Sequence, residues 1–216
     1  MTKLLIPLLT HSWVSATWDE YSQQLNELED QHFKSYYYQG HLRIEMSPVS
    51  FDHGQDHVMI IFAVNLFIAL KGIPATGLDT TTFRKVGVRD CQPDVAYYLG
   101  DNAKVIPTGT GIVNLDRYPA PDLVIEISRS SLLDDLGVKR SLYEELGAKE
   151  YWIVDVKKAQ VLAYAIANQG SQRISVSQVL PGLAIATLAA ALQRNRQTHQ
   201  AEVGAWLLTQ FQAEGD

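Results

Sequence analysis

The sequence predicts a mixed α/β (α+β) protein built around one central sheet. Segments with apolar residues at helical spacing alternate along the chain with short runs of branched and aromatic residues that are typical of strands. The 216 residues suffice for one sizeable α/β core, or for one core with a small appendage. The sequence shows no internal repeat and no linker, so we expect a single domain of residues 1–216, with its core at 36–180 and C-terminal helices at 184–212.

The first third of the chain predicts a helix, a hairpin and a second helix. Thr17 and Glu20 have capping-box spacing at the start of a helical pattern. Aromatic and branched residues at 36–38 and 42–46 flank a glycine turn, which indicates a β-hairpin. Residues 56–71 are strongly apolar and precede a glycine, which predicts a buried helix.

The rest of the chain alternates between strand and helix patterns. Predicted strands cover residues 80–86, 94–99, 122–128, 150–156, 161–166 and 174–179, and predicted helices cover residues 134–147, 184–194 and 202–212.

Composition and charge narrow the possible functions. The formal net charge of -6 provides no global positive field, so contact with nucleic acid must depend on local basic groups, a dimer groove or a bound cation. Cys91 is the only cysteine, which excludes an intramolecular disulfide and fits a reducing cytoplasm. The apolar run at 4–9 is too short for a signal peptide, and we expect a cytoplasmic protein without a membrane segment.

Lys139 occupies an unusual position in the predicted helix 134–147. It projects into an arc of apolar side chains, where a lysine must be desolvated or paired with an anion. Glu126 lies among branched residues in the preceding predicted strand. A buried lysine and a buried carboxylate on consecutive elements indicate a functional site, and a structural ion pair is the alternative.

A second carboxylate, Asp94, opens a predicted strand directly after Pro93. If the two strands are neighbours, Asp94, Glu126 and Lys139 converge at one end of the sheet. Two carboxylates suit a hard divalent cation such as Mg²⁺, which can neutralise the charge of a phosphodiester. A lysine beside the cation can orient or deprotonate the attacking water.

The order of these residues resembles the PD-(D/E)XK nuclease superfamily and, more narrowly, the Uma family of restriction endonucleases. The resemblance extends over about residues 36–166, and no single segment would be specific alone. The matching segments are 40–48 (GHLRIEMSP), 93–95 (PDV), 121–128 (PDLVIEIS), 135–140 (DLGVKR), 142–143 (LY) and 150–155 (EYWIVD).

The resemblance implies a restriction-endonuclease-like core, an αβββαβ arrangement around a mixed sheet, together with the N-terminal helix and hairpin. It implies that Asp94, Glu126 and Lys139 are catalytic, and that Asp94, Glu126 and the backbone carbonyl of Ile127 bind Mg²⁺ or Mn²⁺. Superfamily members often carry the lysine two residues after the strand acid, where this chain has Ser128. In the Uma-type pattern the lysine moves to the next helix, which matches Lys139. DNA is the implied substrate, and a homodimer is expected because two active sites can cut both strands.

Three further residues are candidates for accessory roles. Relatives often carry an acidic residue in the tyrosine-rich strand at 36–38, where this chain has none, and Glu45 across the turn is a possible substitute. His53 and His57 have the i, i+4 spacing that can pair imidazoles on zinc, but the neighbouring sequence offers no third ligand. His57 is alternatively expected to face the nuclease cleft.

Three classes of function therefore remain open. The first is a Mg²⁺-dependent DNA endonuclease, favoured by the intact trio of Asp94, Glu126 and Lys139. The second is a non-catalytic protein that retains the nuclease fold for binding DNA or a partner, favoured by the acidic net charge. The third is a zinc hydrolase that uses His53 and His57.

Overall fold

The computed structural model of the protein describes residues 11–28, 32–46, 50–168 and 170–213. The strands of this part of the chain are β1 Val14–Ser15, β2 Phe33–Tyr38, β3 His41–Met46, β4 Ala75–Asp79, β5 Phe83–Lys85, β6 Arg89–Cys91, β7 Val95–Leu99, β8 Val113–Asn114, β9 Leu123–Ser128, β10 Glu150–Asp155, β11 Gln160–Ala167 and β12 Gly170–Ile174. The α-helices are α1 Trp18–Glu27, α2 Phe51–Lys71, α3 Leu132–Leu136, α4 Val138–Leu146, α5 Ile185–Asn195 and α6 Gln200–Ala213, and Gly100–Lys104 forms a 3₁₀-helix.

The described chain divides into two compact units, each with its own sheet. The first unit contains the described residues up to 46 together with 82–92 and 111–118, and the second contains residues 50–81, 93–110 and 119–213. Two compact units can still belong to one folding domain, so the single domain of residues 1–216 stays a prediction.

The first unit contains the predicted N-terminal helix and hairpin. The capping box is confirmed, because the Glu20 N–H donates to Thr17 Oγ1 and the Thr17 N–H donates to Glu20 Oε2. β2 and β3 pair antiparallel through a turn in which Gln39 and Gly40 both have positive φ, 47° and 73°. The sheet order is β1-β3-β2-β6-β5-β8, and α1 contributes Tyr21 to its apolar core.

The second unit has the predicted αβββαβ order. Its elements follow the chain as α2, β4, β7, β9, the pair α3 and α4, and then β10. The sheet order is β12-β11-β10-β9-β7-β4, in which β9 and β10 are parallel and the other neighbours are antiparallel. The prediction of a mixed central sheet is therefore confirmed.

Alternation along β9 assigns its residues to two faces of this sheet. Leu123, Ile125 and Ile127 belong to the apolar core that α2, α5 and α6 also form, whereas Glu126 projects to the other face and meets α4. α2 is the one helix among the described residues that is long and apolar enough to cross a membrane. Six of its side chains are buried in the apolar core, which is typical of a central helix in a globular domain.

Four predicted boundaries were wrong, each for a local reason. Of the predicted strand 80–86 only residues 83–85 form a strand, β5, and the unpredicted strand before it, β4, ends at residue 79 and belongs to the other sheet. The predicted helix 134–147 breaks at Gly137, where a Cβ would lie 3.0 Å from the carbonyl oxygen of Leu133. The last predicted strand, 174–179, overlaps β12 only at residue 174, where β12 ends. The helix predicted at 56–71 begins at residue 51, because the Ser50 hydroxyl accepts a hydrogen bond from a first-turn N–H.

Candidate active site

Asp94 and Glu126 come from neighbouring strands, as predicted. β7 pairs antiparallel with β9, and Val95 lies opposite Ile125. Extending this register by one residue places the backbone of Asp94, directly before β7, opposite that of Glu126. Asp94 and Glu126 are each only 2% exposed, so the protein holds two carboxylates out of bulk water at one end of the sheet.

Hydrogen bonds to the main chain fix the position of Asp94. Its Oδ2 accepts a hydrogen bond of 2.7 Å from the Ile127 N–H, and its carbonyl oxygen accepts one of 3.0 Å from the Thr80 N–H. Its Oδ1 lies 3.4 Å from Nε2 of His53. One carboxylate oxygen is thus bound to the sheet, while the other faces helix α2.

Glu126 is held from the other side by helix α4. The Tyr143 hydroxyl donates a hydrogen bond of 2.7 Å to Glu126 Oε1, and Nζ of Lys139 lies 3.7 Å from the same oxygen. Helical spacing places Lys139 and Tyr143 on one face of α4, directed at β9. The sequence-predicted lysine therefore lies beside the sequence-predicted strand carboxylate.

A third carboxylate, Asp135, was not predicted. It is fully buried, its Oδ1 lies 3.2 Å from Lys139 Nζ, and the Ser131 hydroxyl donates a hydrogen bond of 2.6 Å to its Oδ2. The signal in the sequence was the i, i+4 spacing of Asp135 and Lys139. Lys139 is 1% exposed and lies between two carboxylates, which explains how an ammonium is accommodated on an apolar helical face.

The charges of this cluster suit a divalent cation. Glu126 and Asp135 place two buried carboxylates beside the single ammonium of Lys139, and Asp94 adds a third buried carboxylate directly before β7, so carboxylates outnumber the ammonium. Carboxylate and carbonyl oxygens are the donors that Mg²⁺ and Mn²⁺ accept. The donor set therefore fits the predicted Mg²⁺ or Mn²⁺, and the carbonyl of Ile127 stays a predicted ligand.

Two histidines at the start of α2 lie beside Asp94. Donor atoms of His53, His57 and Asp94 all lie within 4.8 Å of one another. The third ligand that the neighbouring sequence lacked thus comes from a distant segment, at the start of β7. His57 Nε2 also lies 3.1 Å from Asp79 Oδ1 at the end of β4. That His57 faces the nuclease cleft stays a prediction.

Two other acidic residues have local structural partners. Glu45 belongs to the first unit, where its Oε1 lies 2.8 Å from Nε of Arg43, and its accessory role stays a prediction. Asp122 follows a proline, as Asp94 does, but its carboxylate accepts a hydrogen bond of 2.7 Å from the Leu99 N–H and lies 2.7 Å from Lys149 Nζ. Asp122 therefore joins the start of β9 to the end of β7.

Comparisons with known proteins find one matching family and a similar solved structure. A sequence profile of the Uma2 family, described as "Putative restriction endonuclease", matches residues 18–199. A solved structure from Anabaena variabilis ATCC 29413, described as "a putative nuclease belonging to DUF820", has 19% sequence identity and a TM-score of 0.53, covering 89% of this chain and 99% of that chain. At that identity the likeness shows the fold alone, and it agrees with the predicted nuclease fold. No protein with a curated functional description matches the chain.

Proposed function

Because this chain belongs to the Uma2 family, as its motifs predicted, we propose that it is a divalent-cation-dependent DNA endonuclease. The catalytic residues in this proposal are Asp94, Glu126 and Lys139. The observation that carries it is a pair of buried carboxylates on neighbouring segments of the sheet, Asp94 directly before β7 and Glu126 in β9, with a buried lysine 3.7 Å from Glu126. Burial of three ionisable groups is costly, and a catalytic site is a common reason to retain it.

In this proposal Asp94, Glu126 and the Ile127 carbonyl hold Mg²⁺ or Mn²⁺. When bound, the cation would neutralise phosphodiester charge and make a water molecule more acidic. Asp94 is already oriented, because the Ile127 N–H holds one of its oxygens at 2.7 Å. A ligand that is fixed before the cation arrives loses little conformational freedom on binding.

Lys139 supplies positive charge to the reacting phosphodiester. Glu126 and Asp135 lie 3.7 Å and 3.2 Å from its Nζ and stabilise the ammonium by Coulomb attraction. We therefore assign Lys139 to orienting the attacking water and stabilising the negative charge that develops on the phosphate. Asp135 and Tyr143 act as positioning residues, since Asp135 contacts the lysine and Tyr143 contacts Glu126.

Cleavage of both strands of a duplex is simplest for a homodimer with two such sites, and we propose that state. A groove on the surface supports this proposal, because it is lined by three exposed apolar residues: Val58 and Phe62 on α2 and Leu208 on α6. Light scattering at micromolar concentration is expected to give twice the mass of the chain. A monomer under those conditions would contradict this part of the proposal.

Incubation with supercoiled plasmid tests the proposed activity. We expect nicked and linear products in Mg²⁺ or Mn²⁺ and none in EDTA, because the cation is required for charge neutralisation. A Glu126→Gln protein purified in parallel controls for contaminating nuclease, since glutamine can still accept the Tyr143 hydrogen bond. Cation-independent binding of DNA without cleavage would instead favour the non-catalytic alternative.

A further inference from the structure

We propose that His53, His57 and Asp94 form a binding site for a divalent transition metal, with a preference for Mn²⁺, Co²⁺ or Zn²⁺ over Mg²⁺. This inference rests on the proposed function in placing the cation at Asp94, and it adds two nitrogen ligands from α2. It differs from an all-oxygen Mg²⁺ site in the metal selected and in the helix that supplies the ligands.

The fold brings these three side chains together. His53 and His57 are one turn apart on α2, and their ring centroids are 6.0 Å apart. The Ser50 cap fixes the first turn of this helix, because its hydroxyl accepts from the His53 N–H at 3.3 Å. Asp94 Oδ1 faces His53 Nε2 at 3.4 Å, while Oδ2 is held by the sheet.

The distances fit one ion with small side-chain movements. The three donor atoms lie within 4.8 Å of one another. Metal–nitrogen and metal–oxygen bonds of about 2.0–2.2 Å separate neighbouring ligand atoms by about 3–4 Å, so the donors need to close by about 1 Å. Histidine side chains can supply this shift by rotation about χ2.

A buried nitrogen of His57 supports the proposal independently. Nε2 of His57 is shielded from solvent and makes no hydrogen bond with another described residue. The Asp79 carboxylate at 3.1 Å is 64% exposed, and an ion pair with so exposed a partner contributes little. A buried polar nitrogen without a hydrogen bond is uncommon in a folded protein, and a bound ion would satisfy it.

The donor chemistry determines the class of metal. Mg²⁺ prefers oxygen ligands and keeps several waters, whereas imidazole nitrogen is a good ligand for Zn²⁺ and other first-row transition metals. Two imidazoles and one carboxylate leave positions open for water or for a phosphate oxygen. We therefore expect the site to select a transition metal when both kinds of ion are present.

Titration with Co²⁺, followed by its visible absorption, tests the site directly. We expect one equivalent to bind the wild-type protein, and a 100-fold excess of Mg²⁺ to leave the absorption in place. His53→Gln and His57→Gln should each weaken Co²⁺ binding by at least about 10-fold, because each removes a ligand. His199→Gln is the matched control. The His199 side chain, directly before α6, is 70% exposed, and we expect the His199→Gln protein to bind Co²⁺ with wild-type affinity.

A second measurement uses the unaltered protein and does not depend on how variants fold. One equivalent of Co²⁺ should broaden or shift the ring proton resonances of His53 and His57 and leave those of His199 unchanged. Equal Co²⁺ affinity in the wild type and both His→Gln proteins, or displacement by equimolar Mg²⁺, would overturn the proposal.

These results are separable from the test of nuclease activity. Co²⁺ binding that depends on His53 and His57 without any DNA cleavage would uphold this site and contradict the endonuclease proposal. Cleavage in Mg²⁺ without histidine-dependent Co²⁺ binding would uphold the endonuclease proposal and contradict the histidine site.

Discussion

Lys139→Met is expected to lower both DNA cleavage and stability. Methionine keeps an aliphatic stem but removes the charge that lies between Glu126 and Asp135. Removing one partner of a buried ion pair costs about 3–5 kcal/mol, because the remaining charges stay desolvated. Loss of a positioned catalytic group lowers the rate by about 10²-fold or more. Urea unfolding and single-turnover cleavage measure the two effects.

The double variant Lys139→Met/Asp135→Asn separates catalysis from stability. Asparagine at 135 removes one of the two buried negative charges and can still accept the Ser131 hydrogen bond of 2.6 Å. We expect the double variant to regain part of the lost stability while cleavage stays at the Lys139→Met level. A double variant that regains both would make Lys139 a structural residue only. Full cleavage by a folded Lys139→Met protein would remove it from the mechanism.

Asp94→Asn is expected to have the largest effect on cation binding. Its carboxylate is shared by the proposed endonuclease site and by the histidine site, so the loss of one negative charge weakens both. The asparagine oxygen can replace Oδ2 as acceptor of the Ile127 N–H, which keeps that buried donor satisfied. We therefore expect cleavage to fall by about 10²-fold or more with little change in the unfolding midpoint.

Asp122→Asn is the matched control for Asp94→Asn. Both aspartates follow a proline, both are 2% exposed, and both accept a hydrogen bond from a strand N–H. Asp122 also lies 2.7 Å from Nζ of Lys149, which is 64% exposed, so its substitution is expected to lower stability by at most about 1 kcal/mol without changing cation affinity. Calorimetric titration of both variants with Mn²⁺ checks the contrast. Equal losses of affinity in the two proteins would show that the effect of Asp94→Asn is indirect.

Much of the fold could be predicted from the sequence because the patterns that indicate its helices, strands and turns are local. The Thr17 capping box, the hairpin turn at Gln39 and the apolar alternation of β9 each depend on residues a few positions apart. The order of the Pro-Asp, strand-Glu and helix-Lys motifs then indicated which elements carry the site. Lys139 was identifiable because it interrupts an apolar helical face.

The sequence was insufficient where a contact depends on tertiary structure. His53 and Asp94 meet only because the start of α2 lies beside the start of β7. Alternation predicts a strand but not the sheet that receives it, so the allocation of β4 and β5 to different sheets was not predictable. The backbone break at Gly137 does not interrupt the apolar spacing around it, so one continuous helix was predicted.

The dependence of cleavage on cation concentration tests the central claim most directly. Wild-type protein is titrated with Mn²⁺ in two experiments, one that measures binding by calorimetry and one that measures plasmid cleavage under single-turnover conditions. We predict that half-maximal cleavage occurs at the concentration of half-maximal binding, and that Asp94→Asn loses both together. Cleavage that persists without a divalent cation, or a cation-saturated wild-type protein that leaves the plasmid intact, would contradict the assignment of Asp94, Glu126 and Lys139 to a cation-dependent nuclease site.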